Sequence, residues 1–124
     1  MGRRLDQLSS AIIGSSFEVA NVLGRGFVER VYANALSIEL EDKGIKVIRE
    51  HSIKVFYKER PAGDFFADLY IENAILVETK ATGSLNNLHM AQCLNYLKAS
   101  GLSLCLLINF GAPSVQVKRI VNDF

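Results

Sequence analysis

Asp68, Glu78 and Lys80 are the residues in this chain whose types and spacing could do chemistry. They lie in the stretch DLYIENAILVETK, where an acid ends one apolar run and a Glu-x-Lys triplet closes the next. On a strand successive side chains alternate faces, so Glu78 and Lys80 point one way and Thr79 the other. An Asp from the neighbouring strand would add a second carboxylate to the same small pocket. Such charges are costly to bury unless they are paired or hold a metal. The set suits a hard divalent cation, with a lysine that steadies a water or a phosphate oxygen. The triplet alone leaves a second reading open, in which Lys80 neutralises Glu78 and Asp68 in a surface ion-pair cluster.

Two strands must bring these groups together, Phe65 to Ile71 and Ile75 to Lys80. Phe65, Ala67, Leu69 and Ile71 form one apolar face, and Ile75, Val77 and Thr79 form its continuation on the second strand. Matching those faces across a hairpin needs an odd number of loop residues, which Glu72-Asn73-Ala74 supplies. That register sets Asp68 directly opposite Glu78, with Cβ atoms about 4.5–5.5 Å apart. A one-residue slip would place apolar residues against polar ones. Carboxylates so close repel unless a cation lies between them or one takes a proton.

The rest of the chain reads as the frame. Leu5, Leu8, Ile12, Val19 and Leu23 recur at helical spacing, and Gly24-Arg25-Gly26 ends that helix. A second helix runs from about Val28 to Lys43, its buried stripe Val28, Val31, Tyr32, Ala35, Leu36 and Leu40, with Gly44 as the stop. Ile45 to Glu50 and Ile53 to Tyr57 read as strand around a bend or bulge at His51-Ser52, and Lys58 to Gly63 reads as a turn carrying Pro61 and Gly63. A third helix extends from Asn86 or Asn87 to Ser100, ended by Gly101. Leu102 to Asn109 is an apolar run of strand length, the mark of a central strand covered on both faces. Val115 to Val121 closes the chain as a short strand or helix. The expected fold is α/β, a three-layer sandwich with a central mixed β-sheet flanked by helices.

Length and composition set bounds. At 124 residues the chain is expected to form one domain, residues 1–124, with one sizeable core. A net charge of +1 gives no strong global field toward nucleic acid or membrane and leaves room for a local basic rim. Cys93 and Cys105 lack metal-ligand spacing and read as free, buried thiols of a reducing compartment. No signal peptide or membrane span is apparent, so a soluble, cytoplasmic protein is expected.

The stretch Gly26-Phe27-Val28-Glu29-Arg30-Val31-Tyr32 fits the Gly-x-x-Glu-x-x-Tyr signature. With the Asp-Leu and Val-Glu-x-Lys-Ala strands and the Gln-x-x-x-Tyr helix, the chain from about Ile12 to Gly111 resembles the GxxExxY family. That family is a branch of the PD-(D/E)XK nuclease superfamily, with a restriction-endonuclease-like core. The resemblance implies Asp68 and Glu78 as metal-binding acids and Lys80 as the motif lysine, with Glu29 and Gln92 accompanying the site. Ala67 stands where the superfamily name has proline, and Arg25 where relatives often have a second-position proline in Gly-Pro-Gly. On physics alone Glu29 reads as an acid complementing a helix dipole. Gln92 reads as a backbone cap, and His51, His89, Lys98, Lys118 and Arg119 read as ordinary surface or structural residues.

The resulting expectation is a Mg2+- or Mn2+-dependent nuclease acting on DNA or RNA. Its metal ligands would be Asp68, Glu78 and the Thr79 carbonyl, with Glu29 as a candidate ligand for a second ion. The competing reading is a non-catalytic nucleic-acid-binding or oligomeric assembly module on the same fold. With so little chain outside the core, specificity is expected from a homodimer, a partner or the substrate's own structure.

Overall fold

The computed structural model describes residues 2–122. Two helices come first, α1 (Arg3–Leu23) and α2 (Glu29–Asp42), followed by β1 (Val47–Tyr57), β2 (Arg60–Ile71) and β3 (Ile75–Lys80). Helix α3 (Asn87–Ser100) then leads to β4 (Leu104–Asn109) and β5 (Gln116–Val121). The strands form one sheet in the order β1-β2-β3-β4-β5, with β3 and β4 parallel and every other pair antiparallel. The parallel pair is the one joined through α3, because a parallel connection needs a crossover while the hairpins do not.

Each face of the sheet has its own core. Ile12 and Val19 of α1 and Tyr32, Leu36 and Leu40 of α2 pack on Leu69, Ile71, Ile75, Val77, Leu104, Leu106 and Ile108. Cys93 and Leu97 of α3 pack with Leu76, Cys105 and Leu107 on the opposite face. Strand β4 is buried at every position, as a central strand sandwiched between helix layers must be. This is the three-layer α/β sandwich with a mixed sheet.

Several boundaries differ from those read in the sequence. Val28 is exposed and precedes α2 rather than joining its buried stripe. Strand β1 runs as one strand with its irregular residue at Glu50, just before the expected bend or bulge at His51-Ser52. Strand β2 begins at Arg60, so Pro61 and Gly63 lie inside it. Lys58 and Glu59 make the tight turn, at φ 47° and 65°, a left-handed pair that suits the twist of a two-residue hairpin. Pro61 is tolerated beside the register shift between Val55 and Phe56, where the ladder is already broken. Val115 to Val121 resolves as the edge strand β5.

The main correction concerns facing. Phe65 and Ala67 pack on the α3 side, whereas Leu69 and Ile71 pack under α1 and α2. The side-chain alternation of β2 therefore breaks at Asp68. Strand β1 breaks beside it: Val47 belongs to one core and Ile53 to the other, although an even separation should keep them together. Glu50, at φ 52°, supplies the irregular backbone. The single apolar face expected for Phe65 to Ile71 is thus divided between two cores at the position of the acid.

Candidate active site

The β2–β3 register is the one expected from the three-residue loop. Leu69 pairs with Val77, Tyr70 with Leu76 and Ile71 with Ile75, and one further step places Asp68 across from Glu78. At that step side chains replace the backbone ladder. The Asp68 N–H donates to Glu78 Oε1 at 3.0 Å, and the Thr79 N–H donates to Asp68 Oδ2 at 2.8 Å. The Thr79 hydroxyl also lies 2.9 Å from Asp68 Oδ2 and 3.3 Å from the Glu29 carbonyl oxygen. Each carboxylate thereby commits one oxygen to the backbone. Among the described residues, Asp68 Oδ1 and Glu78 Oε2 carry no protein hydrogen bond.

These residues line a cleft of about 360 Å³ together with Val28, Glu29, Arg30, Glu50 and Lys80. Burial, reinforced by the Asp68 charge, pushes the Glu78 carboxyl up from 4.5 to about 8, against the lowering effects of the Asp68 N–H and Lys80. Lys80 is half-buried and, among the described residues, makes no ion pair. On the α3 side, burial raises the Tyr96 phenol to about 12, and the charges of Glu78 and Asp68 add to that rise. A buried acid that resists ionisation beside a second acid, with an unpaired ammonium near both, is an arrangement a divalent cation would relieve.

Three devices position the cleft walls. Gly24 and Gly26, at φ 70° and 112°, give the connection before α2 a backbone that side-chain-bearing residues rarely adopt. The buried Tyr32 hydroxyl donates to the Gly24 carbonyl at 2.5 Å and accepts from the Phe27 N–H at 3.3 Å. Its ring stacks on Phe110 at 4.6 Å between centroids. The Gly-x-x-Glu-x-x-Tyr spacing thus has a local cause: Tyr32 ties the loop that delivers Glu29 to the cleft. Beyond Lys80, Asn109 Oδ1 accepts from the Thr82 and Gly111 N–H groups, both at 3.0 Å, and its amide donates to the Thr82 carbonyl at 2.9 Å. Arg30 and Glu50 pair at the exposed rim.

The residues named from sequence do not all meet. Asp68, Glu78, Thr79, Lys80 and Glu29 line the cleft. Gln92 is half-buried on α3 and is not among the lining residues; the α3 groups that sense the acids are Cys93 and Tyr96. Among the described residues no cluster of three or more His, Cys, Asp or Glu is close enough to hold a metal. The paired acids stand as two, with Glu29 on the wall. Glu50 and Asn109 were missed. Only Asn109 left a sequence signal, as the polar end of an otherwise apolar run. Asn86 caps α3, its Oδ1 accepting from the His89 N–H, and His89 Nδ1 accepts in return from the Asn86 N–H. Cys93 and Cys105 are free and buried.

A family model of the PD-(D/E)XK nuclease superfamily matches residues 6–120. The chain belongs to this superfamily, and its sheet and helices are those of a nuclease fold. The crystal structure of SSO0001 superposes with a TM-score of 0.59 at 18% identity, over 76% of this chain and 50% of that one. The chain therefore spans about half the length of that protein. An alkaline exonuclease from Laribacter hongkongensis, LHK-Exo, aligns at a TM-score of 0.48 and 14% identity, over 87% of this chain and 76% of its own. No curated protein is significantly similar in sequence. Among the described residues no helix is long and apolar enough to cross a membrane.

Proposed function

We propose that the chain is a divalent-metal-dependent nuclease that hydrolyses phosphodiester bonds of DNA or RNA in the Asp68–Glu78 cleft. The observation that carries the reading is the reciprocal clamp, which fixes one oxygen of each acid and leaves Asp68 Oδ1 and Glu78 Oε2 free. Asp68 and Glu78 would hold the ion, with the Thr79 carbonyl as a further oxygen ligand. Mg2+ or Mn2+ bound there would supply Lewis-acid polarisation of a phosphoryl oxygen and a water of lowered pKa.

The chain's own groups do the remaining work. Lys80, free of any carboxylate partner among the described residues, orients the attacking water or stabilises charge gathering on the phosphoryl oxygens. Glu29, which also lines the cleft, would hold a second ion directly or through water. Gln92, on α3 outside the cleft lining, would position a water or a phosphate only by way of the bound substrate. Superfamily membership supports a nucleic-acid substrate.

Labelled single-stranded, duplex and branched DNA and RNA, incubated with Mg2+ or Mn2+, test the reading. Cleavage is expected with wild type and is lost in Asp68→Asn, Glu78→Gln and Lys80→Ala, while circular dichroism shows the fold retained. Full activity in Glu78→Gln, or no cleavage of any substrate with either ion, rejects it.

A further inference from the structure

We propose that the groove between α3 and the β1–β2 hairpin binds a single-stranded stretch of nucleic acid beside the Asp68–Glu78 cleft. The proposal rests on the nuclease reading for its ligand and extends that reading to substrate class. The groove, about 610 Å³, is walled by Lys54, Phe56 and Phe65 of the hairpin and by Asn95, Tyr96 and Lys98 of α3.

Aromatic faces are the first reason. Phe56 is 59% exposed, and Phe65 and Tyr96, stacked on each other at 4.0 Å between centroids, also line the groove. Val55 and Phe56 both line the groove, although consecutive residues of an unbroken strand face opposite ways. The register shift between them accounts for this, since a bulge re-aims a side chain. Unstacked bases present π-faces to such residues, whereas a duplex keeps its bases stacked on one another.

Charge is the second. The lining carries two lysines and no carboxylate. Lys54 Nζ lies 3.6 Å from Asp64 across an exposed pair, a contact of little worth that a phosphate can replace. Continuity is the third. Tyr96 belongs to the groove wall, and its phenol feels the charges of Glu78 and Asp68. Along β1, Glu50 lies at the cleft and Lys54 in the groove, four residues apart and so about 13 Å along the strand.

Fluorescence anisotropy of labelled oligo-dT, oligo-U and a blunt duplex of equal length, read in EDTA, tests the groove without cleavage. Both single strands are expected to bind at least about tenfold more tightly than the duplex, and Phe56→Ala to weaken them about tenfold. Lys98→Ala should reduce the slope of log affinity against log salt by about 0.7. If Phe56→Ala melts early, Phe56→Leu keeps an apolar side chain, removes the π-face and carries the same expectation. Duplex binding equal to single-strand binding, or wild-type affinity in the Phe56 variants, overturns the groove. Cleavage with Mn2+ is scored separately: binding as stated without cleavage keeps the groove and removes the nuclease reading. Cleavage by wild type alongside wild-type affinity in the Phe56 variants does the reverse.

Discussion

Asp68 and Glu78 hold each other's strands: the Asp68 N–H donates to Glu78 Oε1, while Asp68 Oδ2 accepts from the N–H of Thr79, the residue after Glu78. The acids are thus located by the same bonds that close the sheet where its ladder is interrupted. Their geometry precedes any ion, and their electrostatic cost is borne by the fold.

That cost has a sign in pH. Burial and the Asp68 charge raise the Glu78 carboxyl to about 8 in the folded chain, against 4.5 for the ordinary group. Between those values the native state keeps a proton that the unfolded chain has lost. The stability associated with this proton is full below about pH 4.5 and disappears as pH rises through about 8, on the order of a few kcal/mol in all. Metal-free Glu78→Gln, which keeps the acceptor for Asp68 N–H, should melt several degrees above wild type at pH 8.5 and lose this pH slope. Mn2+ should raise the wild-type midpoint more at pH 8 than at pH 6, because the ligand carboxylate must give up its proton. Differential scanning fluorimetry across pH checks both outcomes.

Glu29→Gln separates a site acid from a helix-dipole acid. Glu29 opens α2 and lines the cleft, and its carbonyl accepts from the Thr79 hydroxyl. A site role predicts weaker Mn2+ binding by calorimetry, or slower cleavage, with thermal stability almost unchanged. A dipole role predicts loss of about 0.3–1 kcal/mol and unaltered cleavage.

Tyr32→Phe retains the stack on Phe110 and deletes both hydroxyl contacts to the Gly24–Phe27 loop. The expected stability loss is about 1–3 kcal/mol, from two hydrogen bonds worth roughly 0.5–1.5 kcal/mol each. Because the loop delivers Glu29, cleavage should fall further in Tyr32→Phe than in a control of equal stability loss, such as Leu40→Val. Equal activities in the two variants would assign Tyr32 to packing alone.

Gly111→Ala tests the support beneath Lys80. An added Cβ would lie 2.5 Å from the Ala81 carbonyl carbon and closer still to the Thr82 nitrogen, so backbone must move. A cost of about 1–3 kcal/mol is expected from overpacking, read by urea denaturation, together with reduced cleavage. Wild-type stability would show that the segment after Lys80 yields freely.

Register was legible because a period of two and a three-residue loop leave one way to align Ile71 with Ile75. The three layers were legible from the helical stripes of α1 and α2 and the unbroken apolar run of β4. The exchange of faces at Glu50 and Asp68 was not, since alternating apolar residues look alike whichever core receives them. Pro61 and Gly63 drew the expected turn too long, because Lys58 and Glu59 adopt left-handed backbone with no residue type that announces it. The Tyr32 spacing was visible, but its cause, a hydroxyl bridging two loop backbone groups, required the loop's path. Gln92 was carried by resemblance, and it lies on α3 outside the residues that line the cleft.

The reciprocal clamp bears on how descendants of this protein would be read. A lineage without catalysis would still need a side-chain acceptor at both positions, acid or amide, because losing it strands a backbone N–H at the seam of the sheet. A retained acceptor there would be a poor witness to activity, whereas exchange of an acid for its amide would keep the seam and lose a charge a cation needs. Lys80, which among the described residues pairs with no acid, is under no such structural obligation, so its drift would be the earlier sign that a relative had stopped cutting.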